Sequence, residues 1–139
     1  MNRRTLLSSL ACLLLIPSCK DMTQGKGLAD TAIVDFHKKF NEQKFKDIYA
    51  GSHADLKAAA KEEEFLNLLD AVHRKLGKQV KSTDATWRVN SFNFKTNVMV
   101  AQNTEFERGK GTETFTYRVS DGKAILVSYY INSSDMMLK

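Results

Sequence analysis

A chain of 139 residues is long enough for one domain with one core, and such a chain buries roughly two-thirds of its unfolded surface. Lys and Arg number 21 against 16 Asp and Glu, a formal charge of +5. The basic and acidic residues are interspersed, which excludes the continuous cationic stripe of a nucleic-acid binder.

The first element in the chain is a targeting segment. Arg3 and Arg4 precede an apolar run from Leu6 to Ile16, followed by Pro17, Ser18 and Cys19. The run is too short for a spanning helix, which needs roughly twenty residues. A basic n-region, a short h-region and a small residue at a processing site make a signal peptide. Ile16, Ser18 and Cys19 resemble the processing box of bacterial lipoproteins, which implies cleavage after Ser18, a lipid on Cys19, and an extracytoplasmic, membrane-anchored location. Lys20 in place of Asp points to the outer membrane in a cell with two. Cleavage removes Cys12 and acylates Cys19, leaving a domain with no thiol chemistry, no disulfide and no thiolate metal site. Arg3 and Arg4 leave with the signal, so the mature charge is +3.

Residues 19–27, polar and glycine-bearing, read as a short tether. Leu28, Ala32, Ile33, Phe36 and Phe40 then fall at helical intervals, with Asn41 as the stop. Phe45, Ile48 and Tyr49 mark a short helix ending at Gly51, and Ser52 with Asp55 suggests a capping box opening a turn around Leu56. Lys61 to Leu76 is the strongest helix. Its stripe is Phe65, Leu68, Leu69, Val72 and Leu76, with Glu62–Glu64 at the start, Arg74 and Lys75 at the end, and Gly77 beyond. Lys38, Lys39, Lys44, Lys46 and Lys57 form a solvated face.

From Gln79 the period changes to two. Trp87 and Val89 share a face; so do Val98, Val100, Gln102, Thr104 and Phe106; so do Phe115, Tyr117 and Val119; and so do Ile125, Val127, Tyr129 and Ile131. Turns are expected at Lys95–Asn97, at Arg108–Gly111 and at Asp121-Gly122, the last with type I′ chemistry. Short links imply an antiparallel meander. The expectation is an α+β domain over residues 28–133, with three N-terminal helical segments on a curved four-stranded antiparallel sheet. Phe36, Phe40, Phe65, Leu69, Val72 and Trp87 form the core, and residues 134–139 are a tail.

Leu76-Gly77, the segments Glu105–Gly109 and Gly111–Phe115, and the closing Leu126–Ser133 resemble bacterial lipoprotein domains of unknown function with a cystatin-like, nuclear-transport-factor-like cone fold. The resemblance implies a curved sheet wrapped around a long helix. It assigns no catalytic residue, since that superfamily holds enzymes, binding modules and dimerisation domains alike.

No nucleophile–base pair, metal-ligand spacing or phosphate-cradling loop stands out, so no cofactor and no metal are expected. His37, His53 and His73 read as helix-flank residues. Glu105 and Glu113 are the alternative acid/base pair, facing one another across the Gly109–Gly111 turn, although an exposed position beside Arg108, Lys110 or Arg118 is the simpler reading. Asp84 reads as a strand-edge residue. Tyr129 and Tyr130 must point to opposite faces. The leading expectation is a non-enzymatic binding or accessory module, of inhibitor or immunity type in one version. It would contact a protein or a small apolar ligand through Thr114, Thr116, Arg118, Ser128 and Tyr130. A small-molecule enzyme and a structural homodimer are the alternatives.

Overall fold

The computed structural model describes residues 19–138, with side-chain surroundings from Met22 onward; the signal segment 1–18 lies outside the described residues. Four helices come first: α1 (Cys19–Asn41), α2 (Phe45–Ala50), α3 (Ala54–Ala59) and α4 (Glu62–Leu76). Four strands follow, β1 (Gln79–Phe92), β2 (Lys95–Phe106), β3 (Gly109–Ser120) and β4 (Lys123–Asn132), and then the short α5 (Ser134–Leu138). The strands lie in chain order as one antiparallel sheet, so the α+β expectation holds. α1 crosses the inner face and touches all four strands.

The helices form where the apolar spacing placed them, with differences at their ends. α1 begins at Cys19, nine residues before the expected Leu28, so the segment read as a tether belongs to the helix. Packing overrides its polar composition. Gly25 lies so close to the sheet that an added Cβ would sit 3.3 Å from Val98 Cγ2, and Lys26 next to it is buried. The turn around Leu56 closes as its own helix, giving four segments rather than three. Its N-cap is His53, whose Nδ1 accepts from the Asp55 amide at 3.0 Å, while Ser52 turns its hydroxyl back to the Ile48 carbonyl. In α4, Phe65, Leu69, Val72 and Leu76 are buried. Each such side chain contributes about 1.5–3 kcal/mol by leaving water. Gly77 at φ 83° ends α4, in a conformation glycine adopts without cost.

The sheet's inner face carries Val98, Val100, Phe106, Phe115, Tyr117, Leu126 and Tyr129, packed against Ile33, Phe36 and Phe40 of α1. Phe36 meets Phe115 edge-on at 5.0 Å and lies 4.9 Å from Tyr129. Trp87 departs from the expected core. It shares the inner face with its partner Val100, but β1 is an edge strand and α1 meets the indole with Lys26, whose Nζ lies 5.8 Å from the ring, so that Trp87 stays 43% exposed. In β4 the expected alternation breaks at Val127. Thr116 pairs with Ser128 but Tyr117 with Leu126, so Leu126 replaces Val127 on the inner face. Two more register shifts interrupt β1, at Val80 and Ala85.

The turns also move. The β1–β2 turn is Asn93-Phe94, with φ 49° and 61°, and the expected Lys95–Asn97 belongs to β2. Gly109 opens β3 because a side chain there would collide with Asp135 and Leu76, both under 3.0 Å from an added Cβ. Asp121-Gly122 turns as expected, with φ 52° and 71°. The expected tail forms α5, tied down where Asp135 Oδ2 accepts from the Lys110 amide and the Met136 carbonyl accepts from Lys75 Nζ.

Candidate functional site

Two surfaces of the sheet carry chemistry. On the inner face, a band of polar side chains runs under α1. Glu113 is 1% exposed, and three donors converge on its carboxylate. His37 Nε2 lies 2.7 Å from Oε2, Thr104 Oγ1 donates to the same oxygen at 2.6 Å, and Tyr129 OH donates to Oε1 at 2.8 Å. A carboxylate only accepts, so His37 carries its proton on Nε2. Because Thr104 gives its hydrogen to Glu113, it accepts in turn from Ser82 Oγ at 2.9 Å, and Ser82 accepts from Gln79 Nε2 at 3.1 Å. Burial, with the Glu113 charge and its hydrogen bond, pushes the Tyr129 phenol well above its ordinary range.

The elements that bring these groups together are simple. His37 lies four residues beyond Ile33 on the inward stripe of α1, and Glu113 shares its strand face with Phe115 and Tyr117. Higher on the same helix, Lys26 Nζ bonds Asp30 at 2.5 Å and Asp84 at 2.6 Å, while Gln102 Nε2 donates to Asp84 at 2.9 Å. Gln102 pairs with Glu113 across the β2–β3 ladder, so the band is continuous. Burial works against the Asp84 charge, but the Lys26 and Gln102 hydrogen bonds outweigh it and hold the carboxyl below the usual aspartate range. His37, Asn41 and Gln79 line a surface recess of about 400 Å³ together with Val34, Lys38 and Glu42. Both the imidazole and the Gln79–Ser82–Thr104 chain thus link Glu113 to the outside.

Glu113 is therefore neither exposed nor opposite Glu105. Glu105 pairs with Lys110 and points to the outer face, while Glu113 pairs with Gln102 and points inward. The two carboxylates are on opposite sides of the sheet and do no joint acid–base work. His37 is likewise buried rather than on a helix flank. The other histidines keep local roles: His53 caps α3, and His73 packs against Phe40 and Phe45 with its Nε2 buried and without a hydrogen-bond partner.

The outer face is bare of helices over its centre. Thr114 stands opposite Tyr130 and Thr116 opposite Ser128, so four of the five expected contact residues form one cross-strand block, and Tyr130 is 62% exposed. Arg118 is different. It bridges elements, its Nε donating to Asn97 Oδ1 at 2.7 Å and its Nη2 to Asp55 Oδ2 at 2.9 Å. That bond holds the Asp55 carboxyl below its ordinary range. Arg118 is thus a structural tie rather than a free contact. Beyond Thr112 the face sinks into a polar groove of about 570 Å³, with Lys81, Asn103, Glu105, Lys110 and Asn132 among its walls.

Among the described residues no group of three or more His, Cys, Asp or Glu is placed to hold a metal ion. No described helix is long and apolar enough to cross a membrane. Neither the protein-family models nor the curated proteins give a match to this chain.

Proposed function

We propose that this protein is a lipid-anchored, extracytoplasmic binding module of the cystatin-like, nuclear-transport-factor-like kind, attached through Cys19 and recognising a partner with the outer face of its sheet. The observation that carries the reading is the block of Thr114, Thr116, Ser128 and Tyr130 running into a polar groove that mixes hydroxyls and amides with the charged Lys81, Glu105, Lys110 and Asp135, on the side of the sheet that core packing does not need. A protruding tyrosine among short hydrogen-bonding side chains suits a polar protein surface, because it adds apolar area and a hydroxyl at little entropic cost. The interior supports binding over catalysis: the space between α1 and the sheet is filled by aromatic rings, and all three donors around Glu113 are already spent on it. The test is photo-crosslinking in cells from position 130, with position 63 on α4 as control and palmitate labelling of the wild type and Cys19→Ala read alongside. A discrete adduct from 130 only, with label lost in Cys19→Ala, is expected. Equal adducts from both positions would remove the sheet face from the reading.

A second reading rests on the His37–Glu113 pair behind its recess. Here His37 acts as a general base oriented by Glu113, on a small molecule entering beside Asn41 and Gln79. Turnover by the purified protein that disappears in Glu113→Gln but persists in Glu105→Gln would favour it.

A further inference from the structure

The two hairpin turns Asn93-Phe94 and Asp121-Gly122 and the first turns of α1 meet at one end of the molecule. Met22, Gly25 and Leu28 share a groove of about 500 Å³ with Ser91, Thr96 and Gly122, while Asn41 at the other end of α1 bonds Gln79 at the start of β1. The described chain begins at this end, with Cys19, and the apolar run Leu6–Ile16 precedes it in sequence.

This end carries the two most exposed aromatic rings among the described residues, while Met137 and Leu138 of α5 are also strongly exposed. Phe94 is 111% exposed, Phe92 75% and Met22 48%. Phe94 also stands at φ 61°, the second central position of a two-residue turn, where glycine is the ordinary occupant. A bulky residue in the left-handed region is unfavourable, and the fold takes nothing back from it in packing, because the ring touches no core. An aromatic ring held in water at a conformational cost points to a contact outside the chain.

We propose that the Asn93-Phe94 turn dips into the interfacial layer of a lipid bilayer, with Phe92 and Phe94 as the inserted groups. A narrow tip with two rings suits insertion between lipids better than docking on a flat protein surface. Lys95 and Lys123, each beside one of the two turns, are placed to meet headgroup phosphates, with Asp121 and, within electrostatic reach of Lys95, Asp55 as opposing charges. The inference shares only the membrane with the reading above, and it makes the domain stand on the bilayer by two points, its N-terminus and this turn, rather than swing from one.

The test uses the full chain reconstituted into vesicles of phosphatidylethanolamine and phosphatidylglycerol carrying brominated acyl chains. Trp87 is the only tryptophan, so Trp87→Phe gives a silent background. Phe94→Trp in that background is expected to give blue-shifted emission quenched by bromine, and Glu107→Trp, in the turn at the opposite end, is expected to give neither. Adding Phe92→Ser to the first variant is expected to reduce the quenching by more than half. Vesicle-bound protein with no quenching at position 94 overturns the insertion while leaving the anchor standing. Protein that does not float with vesicles at all overturns both. A blue shift that bromine does not quench, and that grows with protein concentration, overturns the bilayer in favour of a second copy of the chain.

Discussion

Glu113 shows how one side chain can decide a core. Its carboxylate sits among Phe36, Phe115 and Tyr129, where an unpaired charge would be very costly, and three short hydrogen bonds hold it there. Glu113→Gln keeps the size but brings an amide donor against groups that already donate. The expected loss is about 3 kcal/mol, read as a lower urea midpoint with unchanged slope. Glu105→Gln, on the outer face, should move the midpoint by less than about 0.5 kcal/mol. Equal effects would mean that the two carboxylates are not on opposite faces. The parity that gives this answer is present in the sequence, since 113, 115 and 117 alternate together. A carboxylate in an otherwise aromatic row is normally read as outward because burial is so unfavourable. Only the arrival of His37, Thr104 and Tyr129 from three other elements reverses that, and none of them is a neighbour of Glu113 in the chain.

Among the elements, α4 and α1 bind to the rest by different physics. α4 packs with an apolar stripe whose spacing can be read directly, and Leu69→Ala should cost about 2–5 kcal/mol of stability through the cavity it leaves. α1 adds a polar stripe, Lys26, His37 and Asn41, that meets Asp84, Glu113 and Gln79 on the strands. Its extension back to Cys19 was not legible, because Gly25 and Gly27 are poor helix formers and the partner that ties down Lys26 between them, Asp84, is 58 residues away in sequence. That tie makes a pH prediction. Folding lowers the Asp84 pKa from 3.8, so its contribution is complete above that value and is lost as pH falls through the lower folded value. Burial opposes the charge of Lys26, but the Asp30 and Asp84 carboxylates outweigh it and raise its pKa above 10.5, so that share is lost only in strong alkali. Urea midpoints should therefore fall below about pH 4, and Asp84→Asn should flatten part of that fall. An unchanged acid limb would show that the tie adds nothing to stability.

At the scale of the whole molecule, the order of helices and strands, the meander and the inner-face rows of β2 and β3 were all legible, because they follow from local periodicity. The bulges were not, since each depends on the register of a neighbouring strand. The two sides of the sheet end differently. β4 is shielded, with the His53 amide bonded to the Leu126 carbonyl and α3 beside it. β1 is the other border, fourteen residues long and largely exposed. An unbroken strand of that length would be a template on which the next molecule could add its own strand. The offsets at Val80 and Ala85 break the row of free amides into short runs, and Lys81 and Arg88 place like charges along it. The irregularities of β1 thus work against edge-to-edge pairing with a second copy.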